Sequence, residues 1–137
     1  MDFEKAIKIN DSVFGYSDTY SNIETWKHRH LHKIYFVGVS AFMAIEKRNN
    51  TFHIWLMGSL VSGSGKQLFK MMSDDIVKEG IDMITVSTVP EKFTIMYSWL
   101  KRIGFIEDEA KTCVIDGKKK VYLSIGVDQF LVYIKKN

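Results

Sequence analysis

The chain has 137 residues, 46% hydrophobic and 26% charged, with 19 Lys and Arg against 16 Asp and Glu for a formal charge of +3. That length suits one domain spanning residues 1–137 with a real core, and the composition excludes disordered and collagen-like chains. A lone cysteine, Cys113, excludes an internal disulfide and a four-thiolate zinc site, and the small net charge gives no argument for nucleic acid. No apolar run is long enough to cross a bilayer as a helix, and the N-terminus lacks a signal-peptide pattern, so the expectation is a soluble, cytoplasmic protein.

Asp2 is placed to cap a first helix carrying Phe3, Ala6, Ile7, Val13 and Phe14 at helical spacing, with Gly15 ending it. A second short helix is expected from Ser21 to about His30. From Lys33 the residues become β-branched or aromatic, giving strands at 33–37 and 41–47 around a Gly38–Ser40 turn. Asn49-Asn50 reads as a hairpin turn, returning a strand from Phe52 to Met57. Leu68, Phe69, Met72 and Ile76 mark one face of a helix from Gly65 to Glu79, stopped by Gly80. Met83 to Val89 reads as a buried strand, and the strand-helix-strand order argues for a parallel pair. A helix follows from about Glu91 to Gly104, then strands 105–115 and 119–125 around Asp116-Gly117. The tail from Val127 is too apolar to float freely, so it packs on the domain or on a partner, which includes homo-oligomer contacts.

The informative stretch is Gly58 to Lys66, between a strand and the first turn of an amphipathic helix. Glycines there let the chain turn with positive φ and expose successive N–H groups, and the helix N-terminus adds partial positive charge. Such a turn suits a phosphate or pyrophosphate, with Ser62 and Ser64 as hydroxyl donors and Lys66 as a cation; a plain Gly-Ser connection is the alternative. A nucleotide P-loop does not fit, because Leu60 and Gln67 stand where Gly and a hydroxyl residue are needed. The dinucleotide fingerprint fails on glycine spacing and strand order.

With Gly63-Ser64-Gly65 opening a helix after a strand, and Gly104-Phe105 closing a later one, residues 33–125 resemble the GNAT acyltransferases. Within that class the strand with Trp55, Ser64-Gly65-Lys66 and the Trp99–Gly104 segment are most similar to small acetyltransferase-like phage proteins, including short internal virion proteins. The resemblance implies an α/β fold with a central mixed sheet of six to seven strands and helices on both faces. It also implies acetyl-CoA as co-substrate, with the pyrophosphate on the N–H groups of Gly63 to Gly65 and the acetyl carbonyl on main-chain N–H near Met57. The chain departs from the family at Leu60, in place of a Gln or Arg, and at Leu100, in place of a tyrosine that protonates the leaving thiolate.

The implied reaction is N-acetyl transfer to an amine on a small molecule or protein, and it needs a base for the ammonium and an acid for the sulfur. Tyr97, one turn before Leu100, is the candidate acid, though its spacing also fits a core stripe; His53 and Glu46, on neighbouring strands, are candidate bases or a plain cross-strand pair. Two other readings stand beside this one. One is a catalytically silent acetyltransferase-like fold with a structural or host-interacting role, favoured by Leu60 and Leu100. The other is a small nucleic-acid-binding module, using the Lys118–Lys120 run and the Lys135-Lys136 end with Trp26 and His28, His30 and His32. His28, His30 and His32 would share a face on a strand, but no partner carboxylate or thiolate is evident, and no metal site is expected.

Overall fold

A computed structural model describes residues 1–136. Helix α1 (Phe3–Phe14) starts where Asp2 accepts a hydrogen bond from the Lys5 N–H at 3.0 Å, and it ends at Gly15 with φ 84°. Helix α2 (Ile23–His28) is shorter than expected. Asn22 caps it by accepting from the Glu24 N–H, and His30 leaves the helical region at φ 56°.

The chain continues through β1 (Lys33–Val37), β2 (Ala41–Arg48), β3 (Thr51–Ser59), α3 (Ser64–Glu79), β4 (Met83–Thr88) and α4 (Thr94–Ile103). It closes with β5 (Ile106–Glu107), β6 (Cys113–Ile115), β7 (Lys118–Gly126) and α5 (Val127–Lys136). The strand order is β1-β2-β3-β4-β7-β5, with β6 paired to β7. Every neighbouring pair is antiparallel except β3 with β4, the parallel pair that the strand-helix-strand order demands.

The expected mixed sheet with helices on both faces is therefore present. β2 explains how both faces are filled: Ala41 to Glu46 are all buried, with Phe42 and Ala44 facing Ala6, Ile9 and Trp26 of α1 and α2. Met43 and Ile45 face the other core, built from Leu68, Phe69 and Met72 of α3, Leu100 of α4 and Phe130 of α5. A strand buried on both sides reads as a continuous apolar run rather than an alternation.

Two expectations change, and a third is narrowed to one of its alternatives. The strand expected over 105–115 is two short strands separated by a 3-10 turn, because Asp108 accepts from the Ala110 N–H at 3.2 Å and caps Glu109–Lys111. β4 is buried on one face only, through Ile84, Val86 and Thr88, since α1 lies over β2 and β3 rather than over β4. The apolar tail is α5, which packs on its own domain: Phe130 is fully buried and meets Phe69 edge-on at 5.2 Å. The hairpin at Asp116-Gly117 forms with both residues at positive φ, 52° and 75°. Among the described residues, no helix is long and apolar enough to cross a membrane.

Candidate functional site

The site begins as a fault in the sheet. β3 and β4 pair only over Thr51–Ile54 opposite Met83–Val86. Beyond that, β3 follows β2 to Ser59 and β4 follows β7 to Thr88, so their upper ends part. The register of β2 and β3 shifts at the same level: Ala44 faces Leu56 while Ile45 faces Ile54, leaving Trp55 as an extra residue. A bulge bends its strand and increases the local twist, which accounts for β3 leaving β4 at that point.

Beside the parted end of β3 lies a cleft of about 1100 Å³, slightly above the roughly 300–1000 Å³ usual for ligand sites. Its walls are Met57 and Gly58 of β3, the loop 59–63, the first turn of α3, and α4 through Met96, Trp99 and Arg102. α3 starts at Gly63, held at φ 88°, with no side-chain cap and no acidic residue in its first turn. α4 likewise starts uncapped and without an acidic first turn, and Lys92 to Ile95 at its start line the same cleft. By contrast, α1, α2 and the 3-10 turn are each capped by Asp or Asn and carry an acid in the first turn. Among the described residues, the charged groups of the lining are Lys66, Lys92 and Arg102, all cations. Two helix N-termini and three cations, with no carboxylate among the described lining residues, give this cleft a positive character suited to an anion.

Gly65 lets Trp99 and Met57 lie close against the start of α3. A Cβ there would lie 3.1 Å from Trp99 Cη2 and 3.2 Å from Met57 Cε. Trp99 in turn stacks on Phe69 at 4.9 Å, so the start of α3 rests on a rigid aromatic base. At the other end of the cleft Phe14 of α1 meets Phe93, before α4, edge-on at 5.4 Å, and closes the gap from the α1 side.

The expected donor residues Met57, Ser62, Gly63, Gly65 and Lys66 all line the cleft. Ser64 is different: it is buried beside the loop, with its N–H reaching the Val61 carbonyl at 3.4 Å. Phe14, Lys92 and Phe93 join the site without having been singled out from the sequence, and Trp99 and Arg102, read there only as part of the resembling 99–104 segment, join it too. For Lys92 and Phe93 the one legible signal was the uncapped start of the helix after Pro90.

None of the three acid-base candidates lines the cleft. The Tyr97 hydroxyl donates to Glu107 of β5, which also lies 3.5 Å from Lys101; the bond raises the phenol's pKa and lowers that of the carboxylate. Tyr97 therefore fastens α4 to β5. Glu46 and His53 are direct partners across β2 and β3, on the face covered by α1 and α2. Both Glu46 oxygens are engaged, one by Arg29 and one by Arg48 at 2.6 Å. The His53 ring is buried and its Nδ1 lies 2.8 Å from Thr85 Oγ1. Burial first, then the Arg48 charge, pushes its pKa down to about 4, so the ring is neutral at pH 7.

That shift has a measurable sign. A histidine whose folded pKa lies below its unfolded value contributes stability in full above pH 6.5, and loses it as pH falls from there toward 4. Between pH 7 and pH 5 this group should remove roughly 1 to 2 kcal/mol. Urea denaturation at the two values measures it. The loss should shrink in His53→Gln, and an equal loss in both proteins would count against the assignment.

The three histidines of 28–32 do not share a strand face. His28 contacts the Glu24 carbonyl at 2.7 Å, while His32 turns to Glu79 at 2.9 Å. Leu60, in the place of a polar residue of the resembled family, is half exposed, and Leu100 is buried in the core.

A mixed seven-stranded sheet that parts between two parallel neighbours, with a glycine turn and a helix N-terminus at the opening, is the GNAT acetyltransferase fold. Comparison with solved structures agrees. The chain superposes on the ribosomal-protein-S18-alanine N-acetyltransferase of Escherichia coli with a TM-score of 0.69 at 13% identity, covering 92% of this chain and 88% of that one. A GNAT-family acetyltransferase structure from Desulfovibrio desulfuricans gives 0.73 at 13% identity and 92% coverage of both chains. A Bacillus subtilis acetyltransferase in complex with CoA gives 0.52 at 18% identity, over 68% of this chain and 74% of that one. No family model and no curated protein sequence matches the chain.

Proposed function

We propose that the protein binds acetyl-CoA in this cleft and transfers the acetyl group to an amine. The observation that carries the reading is the convergence of two uncapped helix starts with Lys66, Lys92 and Arg102 on one cleft beside the parted end of β3. Acetyl-CoA supplies an activated acetyl group on a thioester. In this reading the N–H groups after Gly63 hold the pyrophosphate, and the cations balance the remaining phosphate charge. Main-chain N–H near Met57, on the β3 edge that β4 has left, polarises the acetyl carbonyl. Tyr97, His53 and Glu46 lie outside the cleft, so in this reading the incoming ammonium loses its proton to water, the amine takes the acetyl group, and the CoA thiolate leaves and takes up a proton from water. The acceptor is an amine on a small molecule or a protein.

Titration calorimetry should show saturable acetyl-CoA binding that weakens as NaCl rises, because the phosphate contacts are ionic. Wild-type protein with no affinity would overturn the assignment. Transfer is then read on a panel of polyamine, aminoglycoside and peptide N-terminal amines, chosen because structural neighbours are named for such acceptors.

The burial of Leu100 favours a second reading, a donor-binding fold that does not turn over and serves a structural or host-interacting role. It requires binding without transfer to any amine of the panel. Turnover on one of them would exclude it.

A further inference from the structure

The register places Glu46, His53, Thr85, Ser124 and Ile106 in one row across five strands, on one face of the sheet. Helices α1 and α2 cover only part of that face, because the core they build takes its strand residues from β1, β2 and β3. Over β4, β7 and the β5–β6 edge the face is open. Its floor includes Ser87, Tyr122 and Ser124, half-buried side chains whose hydroxyls have no hydrogen-bond partner among the described residues. Three exposed apolar side chains stand around that floor: Met83 at 41%, Ile106 at 67% and Ile115 at 46%. Lys118, paired with Ile115, and Lys120, which lies 5.6 Å over the Tyr122 ring, belong to the same face. Neither lysine has an ion pair among the described residues. The carboxylate of the row, Glu46, is already held by Arg29 and Arg48 and does not answer them.

We infer that this open face docks an extended segment of a partner protein in which carboxylates alternate with apolar side chains. Unanswered cations beside exposed apolar groups are complementary to that mixture. From Gly126 to Lys118 the strand β7 runs for about 27 Å at roughly 3.3 Å per residue, the length of some eight extended residues. A nucleic acid fits the same surface less well. It offers nothing to Met83, Ile106 and Ile115, Lys119 points to the other face of the sheet, and Trp26 is fully buried and cannot stack on a base.

The test uses end-capped fluorescent peptides of about eight residues, alternating Glu with Leu or Lys with Leu, and an oligothymidylate of the same length. The Glu-Leu peptide should bind saturably, and more weakly as NaCl rises. It should also slow the alkylation of Cys113 by iodoacetamide, since this exposed thiol is paired with Lys120 on the same face. Lys118→Glu with Lys120→Glu should weaken binding about tenfold, and Ile106→Ser with Ile115→Ser about three- to fivefold, with melting temperatures near that of the wild type. Lys118→Gln with Lys120→Gln, which removes the charges without reversing them, should give a smaller loss in the same direction. No binding of the Glu-Leu peptide, equal binding of the Lys-Leu peptide, tighter binding of the oligothymidylate, or an unprotected Cys113 would overturn the inference. None of these outcomes touches the acetyl-CoA reading, because no residue of the open face lines the cleft.

Discussion

Gly63→Asp should weaken acetyl-CoA binding by about a hundredfold while leaving the protein as stable as before. Gly63 sits at φ 88°, and a Cβ there meets nothing within 4 Å. Aspartate tolerates left-handed backbone better than most residues, so the strain is small, about 1 kcal/mol. Its carboxylate would cap the bare start of α3, which offsets that strain. The same carboxylate occupies the position of the incoming phosphate. Two like charges about 5 Å apart at an effective dielectric near 20 repel by roughly 3 kcal/mol, which is the source of the hundredfold figure. Calorimetry and melting temperature together check the result. Gly63→Ala supplies the control, because it carries the strain without the charge and should lose far less affinity. If Gly63→Asp bound acetyl-CoA like the wild type, the anion would lie elsewhere. Gly65→Asp is a harsher change, since its Cβ runs into Trp99 and Met57, and it should lower stability and affinity together.

Leu100→Tyr, which restores the tyrosine of the resembled family, should damage the protein instead of activating it. Leu100 is 1% exposed and belongs to the core with Leu68, Phe69 and Phe105. Forcing a ring into a packed core costs about 1–3 kcal/mol, and a buried hydroxyl without a partner adds about 1–3 kcal/mol more. For a chain of this size that sum lowers the melting temperature by roughly 10 °C. Differential scanning calorimetry reads the shift. An unchanged melting temperature, or a gain in turnover, would show that this position opens onto the cleft. Tyr97, one turn earlier, does not line the cleft, and its hydroxyl donates to Glu107.

The local chemistry of the chain settled much of its architecture. Asp2 and Gly15 delimit α1, Gly80 and Gly104 stop α3 and α4 at positive φ, and Asp116-Gly117 makes the last hairpin. Each of these depends on residues within one turn of each other, so neighbouring letters are enough to read them. The tail carried the same kind of signal in Val127, Phe130, Leu131 and Ile134, whose spacing is that of the helix α5. The glycine turn before α3 was also legible, because positive φ and bare N–H groups are properties of the loop itself.

Only the tertiary structure decided where that turn opens and what else reaches it. The parting of β3 from β4 comes from a bulge at Trp55, which exists only in the register between β2 and β3. Lys66, Lys92 and Arg102 are far apart in the chain and meet because α3 and α4 converge on one opening. His53 and Tyr97 were candidates for opposite proton roles, base and acid. Burial made one a neutral ring beside Thr85, and packing tied the other to β5. Caps and turns follow from short-range sterics, whereas charge convergence and burial depend on which distant segments share a surface, and that is set by the fold as a whole.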